Sequence, residues 1–203
     1  MTTLSDIAIL LIAAFGAGVL NTIAGGGTFL TFPALVFTGM PPVAANATSA
    51  VAVFPGYLAG AFGFRDELGG FDRKRLLRLS LITLAGGVVG SGLLLVSSNA
   101  AFSVVVPFLL LAATLAFLLG DRIRAFAASH ARGVTPEGAL GLFAVSVYGG
   151  YFNGGLGIVL LALFALWGMT DLHGMNGLKN GLSFVLSSIS VAVFALAGLV
   201  AWP

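Results

Sequence analysis

The chain has 203 residues, of which 59% are hydrophobic and only 8% charged, with a mean hydropathy of +1.09. A water-soluble domain carries about a quarter charged residues, so the composition excludes one. The formal net charge of +2 singles out no polyanionic partner and no nucleic acid is expected, while the absence of cysteine excludes disulfides, thiolate metal ligands and thiol nucleophiles.

The charges that exist are clustered. No Asp, Glu, Lys or Arg occurs between Ile7 and Phe64, between Leu79 and Gly120, between Gly138 and Thr170, or between Asn180 and Pro203. A spanning helix needs about 20 apolar residues, and each tract supplies at least that. The tracts are continuously apolar rather than alternating, which predicts helices and not barrel strands. In lipid every backbone N–H and C=O must be satisfied internally, and helices do this within one segment.

The first tract starts at once, with no basic stretch before it, so Leu4 onward reads as a retained helix and not a cleaved signal peptide. A continuous helix over 4–39 would be about 50 Å long against a hydrocarbon core of about 30 Å. The lobe is therefore expected to be a hairpin broken at Gly25-Gly26-Gly27. The rival arrangement is one kinked, tilted helix. A helix near 43–64 follows, then a basic loop at 65–78 with Arg65, Arg73, Lys74, Arg75 and Arg78. Helices near 79–97 and 101–119 come next. Gly86, Gly87, Gly90, Ser91 and Gly92 on the first of these are read as a packing surface, because small residues let helix backbones approach closely in lipid. A second basic loop at 120–135 contains Arg122, Arg124, His130 and Arg132. By the positive-inside rule both loops are cytoplasmic. A second lobe at 137–169 and a helix near 174–201 end the chain.

The two lobes repeat one another. Asn21-Thr-Ile-Ala-Gly25-Gly26-Gly27 is followed by an apolar stretch, Gly39-Met40-Pro41 and Asn46-Ala-Thr-Ser49. Asn153-Gly154-Gly155-Leu-Gly157 is followed by an apolar stretch, Gly168-Met169-Thr170 and Asn176-Gly-Leu-Lys179. The predicted fold class is thus an all-α polytopic membrane protein with an inverted internal repeat and Gly-broken lobes. The division is 1–119 for the first membrane repeat, 120–135 for a cytoplasmic linker and 136–203 for a second repeat. The helices at 43–64, 79–97 and 101–119 make three crossings, so an inverted second repeat that starts in the cytoplasm requires an N-terminus that faces out. By the same repeat, two more helices would be expected after Trp202, so the second repeat reads as truncated.

Glycine-interrupted segments at matching positions in two halves are the sequence pointer to a transporter site. A helix broken inside the bilayer exposes backbone N–H groups and a positive dipole end that can hold an anion. Gly25, Gly26, Gly27 and Thr28 offer this in the first half, and Asn153, Gly154, Gly155 and Gly157 in the second. The alternative is that the glycines only permit tight helix crossing. Lys179 is an ionisable residue at the start of a long uncharged stretch, with Asn176, Asn180 and Ser183 on its face; such a residue is a candidate for function, or it snorkels to the headgroups. Thr48 and Ser49 are its first-half counterparts. Asp171 is expected to cap the last helix, and His173 beside it is a candidate for proton coupling. No paired carboxylates, metal-spaced ligands, nucleophile elbow or nucleotide-binding loop occur, so neither an enzyme nor a cofactor is expected.

Asn21 to Gly27 followed by Pro33, the Asn46-Ala-Thr-Ser49 stretch, and Asn176-Gly-Leu-Lys179-Asn180 with Trp202 downstream resemble the sulfite exporter TauE/SafE family, also called the toluene-sulfonate uptake permease family. The resemblance covers essentially the whole chain. It implies a multi-pass carrier of small sulfur-containing or organic anions in a bacterial inner membrane, built as an internal duplication. Asn21 and the lobe residues above are the expected substrate contacts. The partners expected are the lipid bilayer, a small anionic substrate, and another copy or a completing subunit. A non-transporting scaffold subunit is the alternative.

Overall fold

The computed structural model describes residues 4–23, 25–119, 122, 125–126 and 138–202, and all regular structure among them is helical. In chain order the helices are α1 (Leu4–Ile23), α2 (Thr28–Phe37), α3 (Pro42–Gly63), α4 (Arg65–Gly69), α5 (Arg73–Val96), α6 (Asn99–Leu118), α7 (Ala139–Tyr151), α8 (Leu156–Leu166) and α9 (Leu172–Leu196). Among the described residues, α1, α5 and α9 are long and apolar enough to cross a membrane. Their outward faces carry large apolar side chains such as Leu11, Phe15, Leu81 and Leu196.

The first lobe is a hairpin and not one kinked helix. Gly25 turns the chain at φ +77°, its N–H bonded to the carbonyls of Leu20 and Asn21. α2 then folds back along α1, so that Gly16 faces Leu30 and Gly27 faces Ala17. Ten residues make α2 about 15 Å long, half the hydrocarbon thickness. The second lobe repeats the design: Gly149 packs on Leu156 and Gly141 on Leu163, which lays α8 antiparallel to α7. The recurring Gly-Met pair is a helix stop in both lobes. Gly39 and Gly168 adopt φ +91° and +81°, and the N–H groups of Met40 and Met169 bond back to Leu35 and Phe164. This is the Schellman pattern, in which the left-handed position favours glycine.

Two sequence expectations need correction. Arg73, Lys74, Arg75 and Arg78 are not in a loop but on the first turns of α5. Asp72 starts the helix by accepting the N–H of Arg75 at 3.0 Å, and Lys and Arg are good helix formers. The last helix runs 172–196 rather than 174–201, because Gly198 at φ +69° repeats the same stop. In the second basic segment Arg124, His130 and Arg132 lie outside the described residues.

α5 and α7 run parallel in close contact. Gly86 faces Ser146, Gly87 lies against Gly150, and a Cβ on Gly90 would stand 2.1 Å from the carbonyl oxygen of Val147. Packing is therefore the role of Gly86, Gly87 and Gly90, whereas Gly92 meets nothing within 4 Å. The bundle has two ends. At the basic end lie α4, the start of α5, the end of α3 and the start of α9, where Gly174 nears Phe71. At the other end the N–H of Val43 bonds Asn99 Oδ1 and that of Ala201 bonds Thr48 Oγ1. The α7–α8 hairpin opens at the basic end and α1–α2 at the other.

Two outcomes follow. Gly90→Ala is expected to destabilise the protein by about 1–3 kcal/mol, the usual range for overpacking, while Gly92→Ala leaves it unchanged; thermal unfolding in detergent compares them. A cysteine introduced at Gly69 should label from the cytoplasmic side of intact cells or oriented vesicles and one at Ala100 from the opposite side. Labelling of both from one side would overturn this topology.

Candidate functional site

The tips of the two hairpins meet inside the bundle. A Cβ on Gly25 would stand 2.7 Å from the Cα of Gly157. Gly25 therefore turns the chain at positive φ and admits the other tip, as the packing alternative requires, while its own N–H is taken up by the carbonyls of Leu20 and Asn21. Gly26, Gly27 and Thr28 are buried beside it, and the Thr28 hydroxyl has no hydrogen-bond partner. Asn21, one turn before the break, is 2% exposed; its Nδ2 donates to the carbonyl of Val53 at 3.5 Å and its Oδ1 has no partner.

The second break is built differently. Asn153 and Gly155 both take left-handed backbone, at φ 56° and 69°. Asparagine is among the few L-residues that visit this region readily. The Asn153 side chain is buried and fully used: Tyr57 donates its hydroxyl to Oδ1 at 3.1 Å, and Nδ2 donates to Ser187 Oγ at 3.3 Å. One side chain thus ties α3, the break and α9 together. Tyr148 donates to the carbonyl of Gly154. Among the described residues the N–H groups of Gly155 and Gly157 have no hydrogen-bond partner, as expected at a helix start.

α9 carries a buried polar face, of which Ser187 reaches the second break through Asn153. Lys179, Asn180, Ser183, Ser187 and Ser190 are all buried, at helical spacings that place them on one side. Lys179 is 0% exposed, so it does not snorkel out of the bundle. Its ammonium donates to Asn176 Oδ1 at 2.9 Å, and no carboxylate among the described residues lies within 4 Å of it. Asn176 is itself oriented by donation from Nδ2 to the carbonyl of Leu172. The Nδ2 of Asn180, pressed against Gly60 of α3, and the hydroxyl of Ser183 have no partner. The remaining residues singled out from the sequence lie elsewhere or are engaged. Ser49 shares a 2.5 Å hydrogen bond with Thr31, and Thr48 holds the end of the chain at Ala201. Asp171 caps α9 by accepting the N–H groups of His173 and Gly174. His173 is exposed at the basic end, away from the hairpin tips.

A family model described as sulfite exporter TauE/SafE matches residues 10–203. The chain belongs to that family. Among its relatives, a protein of Haemophilus influenzae named "Probable membrane transporter protein" is 32% identical, over 97% of this chain and 76% of the relative. A "Probable membrane transporter protein ORF9" from a Sinorhizobium species is 30% identical, over 97% and 75%. No solved structure matches the chain. TauE/SafE proteins are membrane transporters and not enzymes, and so is this chain.

Sequence reasoning missed Tyr57 and Ser187, which hold the second break of this TauE/SafE protein in place. The signal was present in helical spacing. Asn46, Ser49, Val53 and Tyr57 fall three or four residues apart on α3 and are all buried, and Ser187 continues the face of Lys179 and Ser183. Asn153→Ala is expected to lose both side-chain hydrogen bonds and to place a Cβ-bearing aliphatic in left-handed backbone. Asn153→Gly loses only the hydrogen bonds. The alanine variant should therefore unfold more easily by a further 1–2 kcal/mol or about that, read from thermal unfolding; equal losses would show that the backbone turn is not under this constraint.

Proposed function

We propose that this chain is a secondary carrier of a small anion, of the sulfite, sulfonate or related organic-acid class, and that Lys179 is the group that attracts it. The observation that carries this reading is a buried Lys179 with no carboxylate within 4 Å among the described residues, followed on its helix by the unused donors of Asn180 and Ser183. A buried charge is costly unless it is paired and hydrogen-bonded. An anion supplies the missing charge and accepts charge-assisted hydrogen bonds from Lys179, Asn180 and Ser183, which are about twice as strong as neutral ones. The family's description supports the chemical class.

In this reading Asn153, Gly154 and Gly155 shape the second break next to the anion, and Gly25, Gly26, Gly27 and Thr28 shape the first. Two hairpins that open at opposite ends and touch at their tips fit an inverted repeat, with 1–119 and 136–203 as its parts and 120–135 as the linker. Rocking one hairpin against the other around a fixed site is how such folds alternate access.

Lys179→Met, nearly isosteric and uncharged, is expected to weaken affinity for sulfite or an aryl sulfonate more than tenfold, about 1.4 kcal/mol. Lys179→Arg should keep part of the binding, because charge survives while donor geometry changes. Binding to the purified chain and flux in proteoliposomes measure both. Equal affinity for the unaltered protein and Lys179→Met would sink the proposal.

A further inference from the structure

A small cavity of about 50 Å³ lies between α1, α2 and α3, lined by Ala17, Gly18, Asn21, Thr31, Val53 and Gly56 among others. A cavity of this size holds one small ion or one water, a water's share of liquid volume being about 30 Å³. It is too small for a sulfonate, so it is distinct from the anion site above.

Its chemistry is also of the opposite kind. The unused atom is Asn21 Oδ1, an acceptor only. The amide is oriented by the bond from Nδ2 to the carbonyl of Val53, and Nδ2 lies against Gly56. Turning it over would set Oδ1 against that carbonyl oxygen. A buried acceptor without a donor costs about 1–3 kcal/mol, and an anion would make that worse. The other polar atoms nearby are oxygens. Thr31 Oγ1 lines the cavity, held between the carbonyl of Gly27 at 3.3 Å and Ser49 Oγ at 2.5 Å. The carbonyl of Ala17 faces the break at Gly27. Hard monovalent cations take such neutral oxygen ligands, and carbonyls beside broken membrane helices are where coupling ions are held.

We propose that this cavity binds a single monovalent cation the size of sodium, through Asn21 Oδ1, the Thr31 hydroxyl and adjoining backbone carbonyls. The role of that cation as the coupling ion rests on the carrier reading above; the binding itself does not.

The test is thermal unfolding of the full chain in detergent, in sodium, potassium or choline chloride at matched concentration, with no anionic substrate added. A ligand that binds only the folded state raises the melting temperature in a saturable way. Sodium is expected to do so, and potassium and choline not. Asn21→Leu should lose the response, and Thr31→Val, which keeps the shape of the side chain, should weaken the apparent sodium affinity at least tenfold. Lys179→Met should keep it in full, which separates this site from the anion site. Equal melting in sodium and potassium, or in all three salts as for a cavity that holds only water, would overturn the proposal. So would an undiminished sodium response in Thr31→Val, which remains decisive if Asn21→Leu does not fold.

Discussion

Backbone at the centre of a bilayer has no water to fall back on, and an unpaired peptide group there costs several kcal/mol. The chain nonetheless interrupts two helices inside the bundle. It can do so because Gly25 and Gly157 have no side chains and the two interruptions are seated on one another, away from lipid. A methyl group on Gly25 would push the tips apart. The placement of Asn21 against α3, of Asn153 between Tyr57 and Ser187, and of the starts of α2 and α8 all follow from that one contact.

Around it the buried polar groups sort by kind. On the α3–α9 side they donate: an ammonium, an amide N–H and hydroxyls. On the α1–α2–α3 side the amide oxygen of Asn21 is an unused acceptor, and the Thr28 hydroxyl is unused as well. α3 separates the two sets and touches both, through Gly60 to Asn180 and through Val53 to Asn21. In a medium of low dielectric this separation matters, because a donor set and an acceptor set merged in one place would satisfy each other and leave nothing for a ligand.

Much of this was legible in the sequence. The charge-free tracts, too long for one span, foretold both interrupted lobes, and the Gly-Met pairs marked their ends. Asp171 as a cap, Gly86, Gly87 and Gly90 as packing, and Lys179 with Asn180 and Ser183 on one face were also readable from spacing, whereas Gly92 was not a packing position. The basic residues of α5 were not, because charge reports position relative to the membrane and says nothing about helix or loop; the cap at Asp72 decided that. The contact of Gly25 with Gly157 was beyond reach, since it joins residues far apart in sequence and glycine carries no side chain to signal a partner. Tyr57 was overlooked because an aromatic residue in an apolar helix looks like core until its hydroxyl is traced to Asn153.

The seat of Gly25 on Gly157 also has a consequence for biosynthesis. The chain is made from its N-terminus, so α1 and α2 reach the membrane first, while α8 arrives only after α3, α5, α6 and α7. Throughout that interval the first hairpin has no counterpart for its tip. The later hairpin therefore seats the earlier one, and synthesis that stalls before Leu156 leaves the tip of the first hairpin without the glycine it packs on.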